Sequence, residues 1–132
     1  MLMKKFVYMG LFTLLFGNIA CQEKKASDFK TIDAAAFETV IQNEAPQLLD
    51  VRTAEEYAEG HLSNSVNIDV KADDFLEKAN SQLKKDSKVA LYCRSGRRSK
   101  KAAELLSKEG YEVIELAGGF NEWKESGKEI VK

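Results

Sequence analysis

Proline and histidine each occur once in this 132-residue chain, and cysteine occurs twice. Two cysteines cannot build a disulfide scaffold, and no Cys/His cluster has the spacing of a zinc site. A single histidine excludes most imidazole-based metal centres. No metal and no cofactor are therefore expected. An excess of either charge is also missing: 20 Lys+Arg stand against 21 Asp+Glu, a net charge of −1. The basic footprint of a nucleic-acid binder is absent. The longest apolar stretch, Phe6–Phe16, spans eleven residues and contains Gly10 and Thr13. It falls short of the about 20 residues that cross a bilayer. What remains is the balance of a folded globular domain, 44% apolar and 31% charged, and the length allows one such domain.

The composition is uneven along the chain. Lys4 and Lys5 are the only charges among residues 1–20. A short basic start, an apolar middle and a small residue before a break have the form of a secretory signal. The break is Ala20-Cys21, and a small residue directly before a cysteine resembles a bacterial lipoprotein processing site. On this reading residues 1–20 are a signal peptide, 21–28 the lipid-attachment cysteine with a polar tether, and 29–132 the folded domain. The protein would be exported to the periplasmic side and held to a membrane through a lipid on Cys21. A plain signal peptide or an uncleaved anchor, with Cys21 incidental, is the alternative. Removing residues 1–20 leaves 18 basic and 21 acidic residues, a charge of −3. With Cys21 lipidated, Cys93 is the one free thiol.

From Phe29 onward, short apolar runs alternate with helical patterns. Strands are expected at 29–32, 47–51, 65–68, 88–92 and 111–116. Asp33 can cap a helix over Ala34–Gln42, with Phe37, Val40 and Ile41 on one face. Thr53 and Glu56 form a capping box that opens a helix ending near Gly60. Asp73 or Asp74 starts a helix through Gln82, another runs from Arg97 to Glu109, and a short one spans Phe120–Glu125. Such alternation predicts an α/β fold: a parallel sheet of about five strands with helices on both faces. Ligands of such sheets sit beyond the carboxyl ends of the strands. Asp50-Val51-Arg52, Cys93 and Gly118-Gly119 all fall there.

Cys93 ends the apolar run Val89–Tyr92 and opens the loop Cys93-Arg94-Ser95-Gly96-Arg97-Arg98-Ser99. A tight turn at Gly96 followed by a helix would aim backbone N–H groups at the sulfur. The helix start adds about half a positive charge, and Arg94, Arg97 and Arg98 add three more. Each effect favours the thiolate, the reactive form of cysteine, and each attracts small anions. Free cysteines are often inert core residues, but such a residue does not usually precede Arg-Ser-Gly-Arg-Arg. The arginines also admit a bland reading as a solvated helix start.

Four stretches in order resemble the rhodanese family of sulfurtransferases. They are Asp50-Val51-Arg52; Glu55-Glu56-Tyr57 with Gly60-His61-Leu62 and Asn67-Ile68; the loop Cys93–Ser99; and Leu116-Ala117-Gly118-Gly119-Phe120 with Trp123. The resemblance runs from Ile32 to Trp123. It implies that Cys93 takes a sulfane sulfur from a small anionic donor such as thiosulfate, holds it as a persulfide, and passes it to cyanide or a thiol, including that of a redox protein. Arg94, Ser95, Gly96, Arg97 and Arg98 would bind the donor. Asp50 and Arg52 would form an ion pair bracing the loop, with His61 and Ser99 in supporting positions. Gly118 and Gly119 would permit a tight turn, and Phe120 and Trp123 would pack in the core. Two other classes stay open: an oxyanion phosphatase or arsenate reductase, which would place an arginine where Ser99 stands, and a persulfide carrier or sensing module without turnover.

Overall fold

The computed structural model describes residues 28–132. The proposed signal peptide, Cys21 and the tether up to Ser27 lie outside the described residues. The elements run β1 (Lys30–Ile32), α1 (Ala34–Glu44), β2 (Gln47–Asp50), α2 (Ala54–Glu59), β3 (Val66–Asn67), α3 (Phe75–Gln82), β4 (Val89–Tyr92), α4 (Arg97–Lys108), β5 (Val113–Leu116) and α5 (Gly119–Glu125). The five strands form one parallel sheet in the order β1-β5-β4-β2-β3. The expected fold class is the observed one.

Alternation along the strands builds two cores. Val89, Leu91 and Cys93 pack with Phe75 and Ala79 of α3 and with Ala102, Ala103 and Leu106 of α4. Ala90 and Tyr92 face the opposite way, toward Phe37 of α1 and Phe120 and Trp123 of α5. Side chains two apart share a face of a strand, so the side on which Cys93 lies follows from its distance to Leu91.

The element boundaries move by one or two residues, each for a local reason. Helix α1 starts as expected, with Asp33 accepting the Ala36 N–H at 2.9 Å. It runs on to Glu44 and stops where Ala45 turns left-handed at φ 46°, its N–H still bonded to the Ile41 carbonyl. Strand β2 ends at Asp50 because that side chain accepts the backbone N–H of Arg52 at 2.9 Å and bends the chain away. The β3 strand loses Ser65, whose N–H and hydroxyl both close a turn on the Leu62 carbonyl. Strand β5 starts late because the Tyr111 N–H finishes the end of α4 on the Leu106 carbonyl.

Candidate active site around Cys93

The loop after β4 is held from two sides. The Phe120 N–H donates to the Cys93 carbonyl at 2.8 Å and the Asn121 N–H to the Arg94 carbonyl at 3.0 Å, so the first turn of α5 clamps the loop. Gly119, at φ +65°, makes that approach possible: a Cβ there would stand 2.6 Å from the Arg94 oxygen and 2.7 Å from that of Cys93. Gly96 has φ +104°, and a Cβ on it would collide with the Ala117 carbonyl oxygen. Only glycine meets both demands without strain.

This turn aims the Gly96 N–H at the Cys93 Sγ, 3.1 Å away. The sulfur faces Ser99 Oγ at 3.4 Å, in the first turn of α4. Cys93 is only 1% exposed, so the thiol forms the floor of the loop rather than part of the surface. Arg94, Ser95 and Arg97 are exposed around it. Arg94 lies 3.9 Å from a Glu56 oxygen, and no ion pair to Arg97 is present among the described residues. Arg98 is engaged differently. Its two terminal nitrogens donate to the two Glu56 oxygens at 2.7 and 2.9 Å.

That fork ties α4 to the capping box of α2, where the Glu56 Oε1 also accepts the Thr53 N–H at 3.0 Å. The Arg98 hydrogen bonds, opposed by partial burial and aided by Thr53, hold the Glu56 carboxyl at about 2, below its ordinary 4.5. A carboxyl held below its unfolded value contributes stability that is complete above about pH 4.5 and is lost as pH falls toward 2. The difference in thermal midpoint between the wild type and Glu56→Gln should therefore close between about pH 6 and pH 2. A difference that stays constant on acidification would contradict this pairing.

The ion pair expected between Asp50 and Arg52 is present at 2.6 Å, with side chains 0% and 3% exposed. Tyr92 donates its hydroxyl to Asp50 at 2.7 Å, and Arg52 donates to the Gly60 carbonyl at 2.7 Å. The Arg52 guanidinium lies over the Phe120 ring at 4.2 Å. Burial, reinforced by the negative charge of Asp50, pushes the Tyr92 hydroxyl above its ordinary range, so it stays a donor. This network connects the end of β2 to the start of α5, and through α5 to the loop. His61 stands apart from the loop in its bonding. Its ring stacks on Tyr57 at 3.6 Å, its Nδ1 meets the Tyr57 carbonyl at 2.8 Å, and its backbone pairs with Val131.

One residue the sequence analysis did not single out is Glu115, 0% exposed. Strand β5 places Val113 in the same core as Cys93 and sends Ile114 to the other, so Glu115 points to the Cys93 side. It accepts the Ser99 hydroxyl at 2.6 Å and the Thr31 hydroxyl at 2.8 Å, and Lys100 reaches it at 3.2 Å. The sequence offered only the alternation of the strand, which puts Glu115 on the same face as Val113.

A cleft of about 230 Å³ opens beside the loop, bordered by Arg52, Glu56, Arg94, Phe120, Asn121 and Lys124. A larger hollow of about 340 Å³ lies at the amino ends of β1 and β5, the end of the sheet opposite the loop. Among the described residues no group of three His, Cys, Asp or Glu side chains is arranged to hold a metal ion.

Comparison with known proteins agrees with this architecture. The family profile described as Rhodanese-like domain matches residues 33–126. The thiosulfate sulfurtransferase PspE of Escherichia coli is 37% identical over 79 residues, covering 59% of this chain and 74% of that protein. YrkF of Bacillus subtilis, named as a provisional sulfur carrier protein, is 33% identical over 102 residues, 76% of this chain. The chain spans about half of YrkF, 54% of its length. A rhodanese-related protein from Thermoplasma volcanium superposes with a TM-score of 0.68 at 34% identity, covering 78% of this chain and 98% of that one.

Proposed function

Because the chain belongs to the rhodanese-like family, we propose that it is a sulfurtransferase whose nucleophile is Cys93. Thiosulfate, the donor in the names of several relatives, is the one to test first. The Cys93 sulfur attacks the outer sulfur of thiosulfate, the S–S bond of the donor breaks, and sulfite leaves with the bonding pair and the thiol proton. A persulfide anion remains on Cys93. Cyanide or an acceptor thiolate then takes the outer sulfur and returns the cysteine. Two easier steps replace one direct transfer.

The observation that carries this reading is the Gly96 N–H at 3.1 Å from the buried Cys93 sulfur. A preorganised donor in a dry site stabilises developing negative charge far better than water does. Burial of Cys93 also favours a small donor that can reach past the loop. Arg94 and Arg97 supply the exposed positive rim that draws in a dianion, while Arg98 already serves Glu56.

Arg94→Ala and Arg97→Ala should each lower kcat/KM for thiosulfate by about threefold to tenfold, with less effect on an uncharged donor. The loss should shrink as salt is added, because exposed charges are screened. Both variants matching the wild type at every ionic strength would remove the arginines from donor capture.

A further inference from the structure

Ser99 has a single hydroxyl proton, and the structure places it in the 2.6 Å bond to Glu115. The oxygen of Ser99 therefore meets the sulfur at 3.4 Å only as an acceptor, and that contact is satisfied only while Cys93 carries its proton. We infer that Glu115, acting through Ser99, is a positioning residue that holds Cys93 as a proton-donating thiol until a sulfur donor arrives. This rests on the reading of Cys93 as the nucleophile and adds a restraint on it.

The arrangement is specific. The backbone register pairs Glu115 with Leu91 on one side and with Thr31 on the other. Thr31 fixes one carboxylate oxygen and Ser99 the other, so the carboxylate cannot rotate away. Lys100 balances its charge from the surface, with a side chain 55% exposed. The other charged groups around the sulfur come from the loop and from α4. Arg94 and Arg97 are exposed, and Arg98 is turned to Glu56 and lies near Asp69. These cations and the Gly96 N–H favour negative charge on sulfur, whereas Glu115 and the Ser99 lone pair oppose it.

The two sulfur states are thereby treated differently. In the free enzyme, removing the thiol proton sets an anion against the oriented Ser99 oxygen. In the persulfide, Sγ is bonded to the outer sulfur, which carries the charge one atom further from the Ser99 oxygen, so the repulsion is weaker than toward a bare thiolate. A resting thiol is protected from oxidation, which proceeds through the thiolate, and the loaded form is penalised less than a bare thiolate.

Alkylation by iodoacetamide, an uncharged reagent, tests this without any sulfur donor. The full-length chain is used, and the peptide carrying Cys93 is followed by mass spectrometry, separately from that carrying Cys21. In Glu115→Gln the rate at neutral pH should rise about tenfold and the midpoint of the pH profile should fall by about one unit, a tenfold change in the equilibrium. The high-pH plateau should stay at the wild-type level. Ser99→Ala should move the midpoint in the same direction, and it decides the matter alone if Glu115→Gln fails to fold by circular dichroism. Unchanged midpoints would overturn the inference. So would a raised plateau with a fixed midpoint, which reports only a loosened loop. Since no donor takes part, failure here leaves the sulfurtransferase reading to its own test.

Discussion

Cys93→Ser is expected to abolish sulfur transfer while leaving the fold intact. The new hydroxyl would sit where the sulfur sits, within reach of the Gly96 N–H and Ser99, so both polar contacts have a successor. The site is buried to 1% exposure, and serine is the smaller side chain, so no overpacking arises. A hydroxyl cannot hold a sulfane sulfur, and no other described residue offers a thiol. Removing a nucleophile costs on the order of a thousandfold or more in kcat. Thiosulfate:cyanide transfer should fall to the uncatalysed background, with circular dichroism and the thermal midpoint close to wild type. Activity retained in this variant would assign the chemistry elsewhere.

Asp50→Ala should have the largest effect on stability. Asp50 accepts from the Arg52 side chain, the Arg52 backbone N–H and the Tyr92 hydroxyl, all inside the protein. Alanine would leave a guanidinium that is 3% exposed without its counter-charge. Breaking a buried ion pair from one side costs about 3–5 kcal/mol, a large share of the roughly 5–15 kcal/mol that stabilises a domain. The damage should also reach the loop, because Arg52 stacks on Phe120 and the Phe120 N–H holds the Cys93 carbonyl. Urea unfolding measures the cost directly. A loss below about 1 kcal/mol would show that the pair is not the brace described here.

Much of this site is local in origin and could be read along the chain. The capping box needs only Thr53 and Glu56, three residues apart. The side on which Cys93 lies needs only the alternation of β4, and the turn at Gly96 needs only the glycine. The partner of Asp50 stands two residues away. What stayed hidden depends on topology. Arg98 finds Glu56 across 42 positions once α2 and α4 dock, and nothing in the loop itself marks that arginine as already engaged. Glu115 matters only because β5 lies beside β4, an adjacency that the order β1-β5-β4-β2-β3 fixes and the linear sequence does not. Read alone, Tyr111–Leu116 is a strand with two acids in it, Glu112 and Glu115. Read in the sheet, Glu115 reaches the hydroxyl that touches the sulfur.

Transfer through Cys93 requires that sulfur reside covalently on its side chain. The direct measurement is mass spectrometry of the purified protein after incubation with thiosulfate and removal of the excess. A gain of one sulfur atom is expected, mapped to the peptide carrying Cys93, and its disappearance on adding cyanide with release of thiocyanate. An unchanged mass for that peptide under conditions where thiocyanate is being produced would contradict it.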